Sequence, residues 1–255
     1  MNILVTGYKG FIGQNLVEGL ENDHELSLFE WGDQLPEISQ FDWVIHCGAI
    51  SSTTEKDIDK VMTQNYDFSV ELYNLCKNNA VNFQFSSSAS VYGLNSEFTE
   101  VSPVDPRTPY AWSKYLTERY ILNHLPKDSV AQCFRYFNVY GPGESHKGEQ
   151  ASPFTKFEKQ AKELGYVKVF ENSNVYLRDF IHVDQIVDIH KKFFSVQESG
   201  VWNAGTGKTM SFQEVAEQLN VPIKTIPMPE NLKESYQTYT CADVTKLVEC
   251  NAQNN

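Results

Sequence analysis

Short apolar runs alternate with longer segments of helical spacing along the first 140 residues of the chain. Over 58–76, apolar residues return about every three or four positions, which is the repeat of one helix face. Strands that alternate with helices in this way form a parallel sheet covered on both faces. The strand-like runs are ILVTG, ELSLFE, WVIHCGA, FQFSSS and VAQCFRYFNV. The pattern therefore predicts an α/β fold with a doubly wound parallel sheet.

The rhythm loosens beyond residue 141, where glycine and proline cluster over 141–143. Short strands separate the helices of this second part, and the helices are predicted near 154–164, 184–198 and 211–219. The change of pattern predicts a smaller α/β lobe beside the sheet.

The connection between the second and third strand-like runs is compressed. ELSLFE ends at Glu30, and WVIHCGA begins too soon afterwards for a crossover helix and a further strand. We therefore expect the outer strand of a standard doubly wound sheet to be short or absent.

Three glycines, Gly7, Gly10 and Gly13, follow the first strand and open the first helix. Glycines at this spacing allow a tight turn and close backbone approach, and the N–H groups of the helix N-terminus attract an anion. This order is typical of a pyrophosphate cradle. We predict a dinucleotide-binding domain over 1–140, with a return segment at about 176–204, and a substrate lobe over 141–255.

Composition narrows the function further. The 255 residues include 33 Asp and Glu against 21 Lys and Arg, and a net charge of −12 repels nucleic acids. The five cysteines form no CxxC pair and no cluster with histidine, so we expect free thiols and no metal site. The chain starts in a core strand and has no membrane-length apolar run. We expect a cytoplasmic protein without nucleic-acid or membrane partners.

Tyr110 and Lys114 stand one helical turn apart, so their side chains share a face. A phenol has a pKa near 10, and a neighbouring ammonium group favours its ionised form. Ser86, Ser87 and Ser88 end the run FQFSSS, and the carboxyl end of a parallel strand faces the ligand crevice. A serine there can hydrogen-bond the same substrate oxygen as the tyrosine. Together with the glycine turn, this set indicates proton transfer beside a dinucleotide.

The motifs, in this order, resemble the extended short-chain dehydrogenase/reductase family, also described as NAD-dependent epimerases and dehydratases. They span nearly the whole chain: TGYKGFIG, HCGAIS, SSSASVYG, YxxxK, RYFNVYGP, LRDFIHVDQIVD and WNAGTG. The resemblance implies a Rossmann-like fold, a bound NAD(P), a nucleotide-diphosphate sugar as substrate, and a homo-oligomer. Within that family, GAISSTTEKD, FRYFNVYGPGESHKG, VFENSNVYLRDF and IPMPENLKESYQTYTCADV resemble the ADP-L-glycero-D-manno-heptose 6-epimerases.

The resemblance also implies roles at the matching positions. Tyr110 would be the general acid/base, supported by Lys114 and Ser88, and Lys147 would be a second acid/base. The implied cofactor contacts, beyond the three glycines, Tyr110 and Lys114, are Phe11, Ile12, Cys47, Gly48, Ala49, Ile50, Ser51, Asn65 and Val139. The implied substrate contacts are Ser88, Asn138, Phe170, Glu171, Asn172, Ser173, Arg178 and Tyr236.

These roles suggest an epimerisation by transient oxidation and re-reduction of a sugar carbon, because its C–H bond is not acidic. Three alternatives stay open: a UDP-sugar 4-epimerase, a dehydratase or reductase of the same family, and a degenerate protein that only binds a dinucleotide. Ser88, Ala89 and Ser90 stand where such dehydratases carry an acid pair, which disfavours dehydration. The intact serine–tyrosine–lysine set disfavours a mere binder.

The cofactor is predicted to be NAD, with NADP possible. Glu30, at the end of the second strand, could accept both ribose hydroxyls and would repel a 2′-phosphate. Glu149 and Lys156 depart from the residues of the heptose epimerases, so the exact sugar stays open. Among the remaining polar residues, we expect His46 to be packed in the core and Asp179 and Asp184 to organise a strand–helix junction and a helix N-terminus.

Overall fold

The computed structural model describes residues 1–52, 55–230 and 237–253. The strands are β1 (Asn2–Thr6), β2 (Glu25–Phe29), β3 (Trp43–His46), β4 (Asn82–Ser88), β5 (Ala131–Tyr136), β6 (Asn138–Tyr140), β7 (Val167–Phe170), β8 (Leu177–His182), β9 (Gly200–Ala204), β10 (Thr209–Ser211), β11 (Ile223–Ile226) and β12 (Tyr239–Thr240). The helices are α1 (Phe11–Leu20), α2 (Ile58–Val61), which runs through a π-helical turn (Met62–Asp67) into α3 (Phe68–Asn78), then α4 (Pro109–Asn123), α5 (Pro153–Leu164), α6 (Val183–Phe193), α7 (Phe212–Glu217) and α8 (Thr245–Gln253).

The central sheet has six parallel strands in the order β2-β1-β3-β4-β5-β9. Successive strand side chains point to opposite faces, and both faces are apolar. Leu4 packs with Leu72 of α3 on one face. Ile3 packs with Leu16 of α1 and Val187 of α6 on the other. The predicted doubly wound α/β fold is therefore confirmed.

The compressed connection leaves β2 at the edge of this sheet. Residues 30–42, all described, contain a 3₁₀ turn (Ile38–Gln40) and no helix or strand beyond it. The expectation of an absent outer strand is confirmed.

The apolar run VAQCFRYFNV was predicted as one strand, and this prediction is wrong. β5 ends at Tyr136, and β6 leaves the central sheet to pair with β8. The N–H group of Phe137, between them, donates to the Ala204 carbonyl of β9. The polypeptide passes from one sheet to the other here while its side chains stay mostly apolar, so the hydrophobic pattern contains no sign of the break.

The lobe is built on β8, which pairs with β6, β10 and β12, and on a β7–β11 pair packed against α5 and α7. The helix predicted over 184–198 ends earlier, since α6 spans Val183–Phe193. Its N-cap is the side chain of His182, which accepts from the Asp184 N–H group, so Asp184 is not the cap.

Asp179 is buried on β8 and joins three segments of the chain. Its carboxylate accepts from the N–H groups of Thr206 and Gly207 at 2.9 Å each and of Ala242 at 3.1 Å. The loop after β9 and the segment before α8 are thereby fixed to the lobe. Asp179 therefore joins strand β8 to two non-helical segments, whereas a strand–helix junction was expected.

Candidate active site

The glycine loop lies between β1 and α1, against the loop that follows β3. Gly7 has a φ of +70°, and a Cβ atom on it would lie 2.5 Å from the Gly48 Cα. A Cβ atom on Gly13 would lie 2.1 Å from the Gly7 carbonyl oxygen. Gly10 is the N-cap of α1, and no described side chain caps this helix end. The loop therefore offers backbone N–H groups at an open helix N-terminus.

Two clefts meet at the glycine loop, at the carboxyl edge of the sheet. The inner cleft, of about 600 Å³, is lined by Gly7, Gly10, Phe11, Ile12, Gly13, Cys47, Ala49, Ser51, Ser86, Ser87, Tyr110, Lys114, Tyr136, His146 and Lys147. The outer cleft, of about 400 Å³, is lined by Thr6, Gly7, Phe29, Glu30, Trp31, Gly48, Ala49, Ile50, Gln64 and Phe68. Ligands of open parallel sheets bind at this edge.

Helix α4 presents Tyr110 and Lys114 to the inner cleft. The helix begins at Pro109 and is capped by Thr108, whose hydroxyl accepts from the Ala111 N–H group. Lys114 is 3% exposed and donates from Nζ to the Ser86 carbonyl at 2.7 Å. Burial lowers the pKa of Lys114 to about 8, although Cys47 and Glu118 act to raise it. Spacing and structure agree that both side chains serve one cleft.

The pKa of the Tyr110 phenol shifts in the direction opposite to the one expected from the sequence. Burial raises the pKa of Tyr110, and a hydrogen bond with Ser88 opposes that change. Lys114 Nζ lies 5.9 Å from the centroid of the tyrosine ring. The expectation that Lys114 lowers the phenol pKa is not met, since burial is the larger cause of the shift and Lys114 is not among its causes. Ser88 is the partner that acts in the expected direction.

Lys147 lines the inner cleft from a 3₁₀ segment that follows β6 (Ser145–Gln150). Its ammonium group lies 4.8 Å from the centroid of the Phe11 ring. Burial lowers the pKa of Lys147, and Glu144 opposes the shift. Glu144 also fixes the segment, since its carboxylate accepts from the Ser152 N–H group at 2.6 Å. His146 lines the cleft as well, a position that the sequence analysis did not single out.

Asn65, predicted to contact the cofactor, is fully buried in the π-helical turn. Its side chain accepts from the Ile50 N–H group at 2.7 Å and donates to the Ile50 carbonyl at 3.0 Å. This pair of bonds holds the loop over 47–51, whose residues line both clefts. Asn65 therefore shapes the loop and is not among the residues that line either cleft.

Glu30 directly follows β2 and lines the outer cleft. One carboxylate oxygen accepts from the Lys9 N–H group at 3.3 Å and the other from the Trp31 N–H group at 3.2 Å. These bonds hold the side chain beside the glycine loop.

Asn138 and Val139 lie on β6, and neither is among the residues that line the inner cleft. Asn138 donates to the Asp179 carbonyl at 3.0 Å, and Val139 packs against the core beside β5. The structure therefore does not bring these two predicted ligand contacts to the cleft.

A third cleft, of about 890 Å³, lies in the lobe. It is lined by Ala151, Pro153, Lys156, Phe157, Gln160, Lys168, Val169, Phe170, Ser173, Tyr176, Phe212 and Ile226. Phe170 and Ser173 were predicted there, whereas Glu171 and Asn172 are exposed outside it. Arg178 lies 5.6 Å from the centroid of the Phe212 ring. Tyr236 lies outside the described residues.

Histidines and carboxylates outside the clefts are structural. His46 is buried between Thr6 Oγ1 at 2.6 Å and Ser69 Oγ at 2.7 Å, and burial lowers its pKa to about 3. Its core position was predicted and is confirmed. Over residues 1–52, 55–230 and 237–253, no group of three or more His, Cys, Asp or Glu side chains could hold a metal ion. In the same ranges, no helix combines the length and apolarity of a membrane span.

A six-stranded parallel sheet with a glycine loop and a tyrosine–lysine pair at its carboxyl edge defines a dinucleotide-dependent α/β protein. The chain belongs to the NAD dependent epimerase/dehydratase family, whose model matches residues 3–205. This membership confirms the predicted family and the predicted NAD cofactor.

Solved structures with the same fold include nucleotide-sugar epimerases. ADP-L-glycero-D-manno-heptose-6-epimerase from Helicobacter pylori is 25% identical with a TM-score of 0.87, over 98% of this chain and 90% of that one. MoeE5, solved with UDP-glucose and NAD, is 26% identical with a TM-score of 0.79, over 98% and 91%. UDP-N-acetylglucosamine 4-epimerase from Methanobrevibacter ruminantium M1, at 24% identity and a TM-score of 0.86 over 98% and 91%, shares the fold.

Proposed function

We propose that this protein is a nucleotide-sugar epimerase similar to the ADP-glycero-manno-heptose 6-epimerases. The observation that carries the proposal is that Tyr110 and Lys147, two groups able to transfer protons, line one cleft with the glycine loop. An enzyme that inverts a carbon needs either an intermediate that turns in the site or a second proton-transfer group for the other face of the substrate. The similarity to the Helicobacter pylori heptose epimerase supports this assignment.

The residues of the two clefts fit NAD. Gly7 and Gly13 leave no room for a side chain, so the backbone can approach a pyrophosphate at the open end of α1. Glu30 has carboxylate oxygens at the outer cleft that suit ribose hydroxyls and would repel a 2′-phosphate. We therefore favour NAD over NADP.

The bound nicotinamide would remove a hydride from the substrate carbon and return it to the other face. Tyr110 would take the proton of the sugar hydroxyl as a phenolate, which the positive charges of Lys114 and of the bound nicotinamide would favour against the raised pKa, and Ser88 stabilises the phenol oxygen by a hydrogen bond. Lys114 holds a positive charge at the floor of the cleft, fixed by the Ser86 carbonyl. When the hydride returns to the other face, Lys147 would donate the proton to the new hydroxyl oxygen, and proton exchange with solvent would then restore both Lys147 and Tyr110. The cofactor would end in the oxidation state in which it started, so the overall product is the epimer.

The third cleft is our candidate for the nucleotide-diphosphate end of the substrate. Lys156 and Lys168 bring positive charge to its rim, and Phe170, Tyr176 and Phe212 bring aromatic faces. Phosphates favour the first kind of group and a nucleobase favours the second.

A UDP-sugar 4-epimerase is the second candidate, since it would use the same core residues. Dehydration is disfavoured, because the 3₁₀ turn after β4 (Ala89–Tyr92) has no carboxylic acid to eject water. The homo-oligomer implied by the resemblance remains a prediction, and sedimentation of the purified protein tests it.

Incubation with ADP-D-glycero-D-manno-heptose, UDP-galactose and a GDP-sugar, followed by NMR, tests the proposal. We expect the epimer of the ADP-heptose and none from a Tyr110→Phe variant, which keeps the ring and loses the hydroxyl. An epimer from UDP-galactose alone would support the second candidate. Full turnover by the Tyr110→Phe variant would contradict the mechanism.

A further inference from the structure

A hydrogen-bonded chain of buried polar side chains, called here the hydrogen-bond chain, runs from the floor of the inner cleft into the sheet. Cys47 Sγ lies 3.0 Å from Ser86 Oγ, and Ser86 Oγ lies 2.9 Å from Tyr136 Oη. Tyr136 Oη in turn hydrogen-bonds His190 Nε2. The first three side chains line the inner cleft, whereas His190 is fully buried behind them. No step of the proposed mechanism uses His190.

The far end of the chain fixes the direction of every hydrogen bond in it. The side-chain amide of Gln132 donates to the carbonyls of Phe193 and Val196, which can only accept. The oxygen of that amide must then accept from the Gln84 side chain, at 3.0 Å. The Gln84 amide also donates to the His190 carbonyl at 3.2 Å. The oxygen of Gln84 therefore faces the imidazole as an acceptor.

From the His190 imidazole toward the cleft, the donor and the acceptor of each hydrogen bond are then determined. His190 Nδ1 donates its hydrogen to Gln84 Oε1 at 2.7 Å, so His190 Nε2 accepts. Tyr136 donates to Nε2 and accepts from Ser86. Ser86 accepts from the Cys47 thiol. The hydrogens of Cys47, Ser86 and Tyr136 therefore all point away from the cleft, toward His190, and that of His190 points on toward Gln84.

The chain cannot conduct a proton, because it ends in two amides whose hydrogens are already donated to carbonyls. What it does is orient three groups, so that the floor of the inner cleft presents lone pairs of sulfur and oxygen. Burial lowers the pKa of His190 to about 3 and raises that of Cys47 to about 11, so both stay neutral near neutral pH. The orientation is therefore stable over the range in which an enzyme works.

We propose that His190 is a positioning residue that, through Tyr136 and Ser86, turns the hydroxyl and thiol hydrogens of this hydrogen-bond chain away from the inner cleft and so favours the oxidised, positively charged nicotinamide over the reduced one. This inference rests on the proposed function. Lone pairs stabilise a cation, whereas an O–H dipole turned outward opposes it. Lys114 brings an opposing positive charge to the same floor, donating to the Ser86 carbonyl. The lone pairs partly offset that charge, which matters because the first chemical step needs the oxidised form.

Dissociation constants for NAD⁺ and NADH, measured separately by calorimetry, test the inference. In a His190→Phe variant the Tyr136 hydroxyl loses its acceptor and the chain can reverse. We expect the ratio of the NAD⁺ to the NADH dissociation constant to rise about tenfold, the scale of one re-aimed hydrogen bond. Tyr136→Phe, which removes only a hydroxyl, should raise it similarly. The double variant should match Tyr136→Phe, because His190 acts through that hydroxyl.

His46→Phe is the matched control. His46 is an equally buried histidine, and its hydrogen bonds to Thr6 and Ser69 lie outside the hydrogen-bond chain that contains His190. It should leave the ratio unchanged. Equal losses of both affinities in the His190 and Tyr136 variants would show a merely structural role and overturn the inference. Failure of the unaltered protein to bind either dinucleotide would instead defeat the proposed function.

Nitrogen-15 NMR of the unaltered protein gives a test that needs no variant. We expect His190 to be neutral, with its hydrogen on Nδ1. A hydrogen on Nε2 would reverse the direction of the chain and overturn the inference.

Discussion

Lys114 is a cation held almost completely out of water, at the point where α4 meets β4. Its pKa of about 8 lies below the ordinary value of 10.5, so the folded protein loses this proton at a lower pH than the unfolded chain. Between these two values the unfolded state binds more protons, and stability therefore rises with pH. Below about 8, the buried charge costs folding free energy while it serves the site.

The Lys114→Met variant isolates the contribution of Lys114 to the pH dependence of stability. We expect the free energy of unfolding of the unaltered protein, relative to the variant, to increase by up to about 3 kcal/mol between pH 7 and pH 10.5. Urea unfolding of both proteins at several pH values measures it. The difference cancels the other titrating groups, and a difference that stays constant with pH would contradict the assigned pKa.

Glu30 is the second residue with a testable role. Its carboxylate is held at the outer cleft by the N–H groups of Lys9 and Trp31. Glu30→Ala should weaken NAD binding about tenfold, since charge-assisted bonds to ribose hydroxyls are lost, and should bring NADP close to NAD in affinity. Titrations with both dinucleotides measure the effect. A variant that kept the preference of the unaltered protein would place NAD selection elsewhere.

Residue roles were predictable where local spacing defines them. The three glycines and the Tyr110–Lys114 pair each form a motif within one loop or one helical turn. Asn65 and His190 gave no such signal, because their partners, Ile50 and Tyr136, are distant along the chain and meet them only in the folded protein. The burial that raises the pKa of Tyr110 is likewise a property of the packed core.

At the scale of elements, a buried ion pair fastens α4 to β5. Arg135 Nη2 lies 2.7 Å from a Glu118 carboxylate oxygen, and the Arg135 guanidinium also donates to Tyr92 Oη at 3.0 Å. Ser87 donates to the same carboxylate. Because Glu118 is on the helix that carries Tyr110, this network fixes the helix on the sheet beneath the cleft.

Glu118→Gln should destabilise the protein by about 3 to 5 kcal/mol, because Arg135 is left buried without its counter-charge. Urea unfolding at neutral pH measures the loss. Glu118→Leu combined with Arg135→Met should cost less than the single change, since no charge remains in the core. A single variant as stable as the unaltered protein would contradict the account. Exchange of the exposed Arg107–Asp105 pair for neutral residues is the control, with an expected change below about 1 kcal/mol.

Element boundaries were less predictable than element types. The hydrophobic pattern revealed the buried strands β1, β3 and β4, each of which is a short apolar run followed by glycine or serine residues. It joined β5 and β6, because a chain that passes from one sheet to another stays apolar throughout. It extended α6 beyond Phe193, where Val196 packs in the core without being helical.

At the scale of the whole molecule, the nucleotide-binding half is completed by distant sequence. Strand β9 closes the central sheet beside β5, and α6 packs against α1. A fragment over 1–140 lacks both. We expect it to show no cooperative unfolding transition by circular dichroism, while the full chain does. A cooperatively folded fragment would mean that β9 and α6 add little to the core.

The overall architecture was predictable because strand–helix alternation defines a parallel sheet, and the order of motifs defines the family. The layout of the lobe was not, since its strands are short and its links rest on Asp179, whose partners at Thr206, Gly207 and Ala242 carry no local pattern.

The missing strand beyond β2 leaves Trp31 as an outer wall of the cofactor region. Trp31 is 48% exposed, and its ring stands edge-on to the Phe68 ring with 5.4 Å between the centroids. Of the other tryptophans, Trp43 and Trp202 are buried and Trp112 lies on α4. A ligand that fills the outer cleft must cover this indole and change its emission. The shortened edge thus gives the protein a native fluorescent reporter, and Trp31→Phe should silence it.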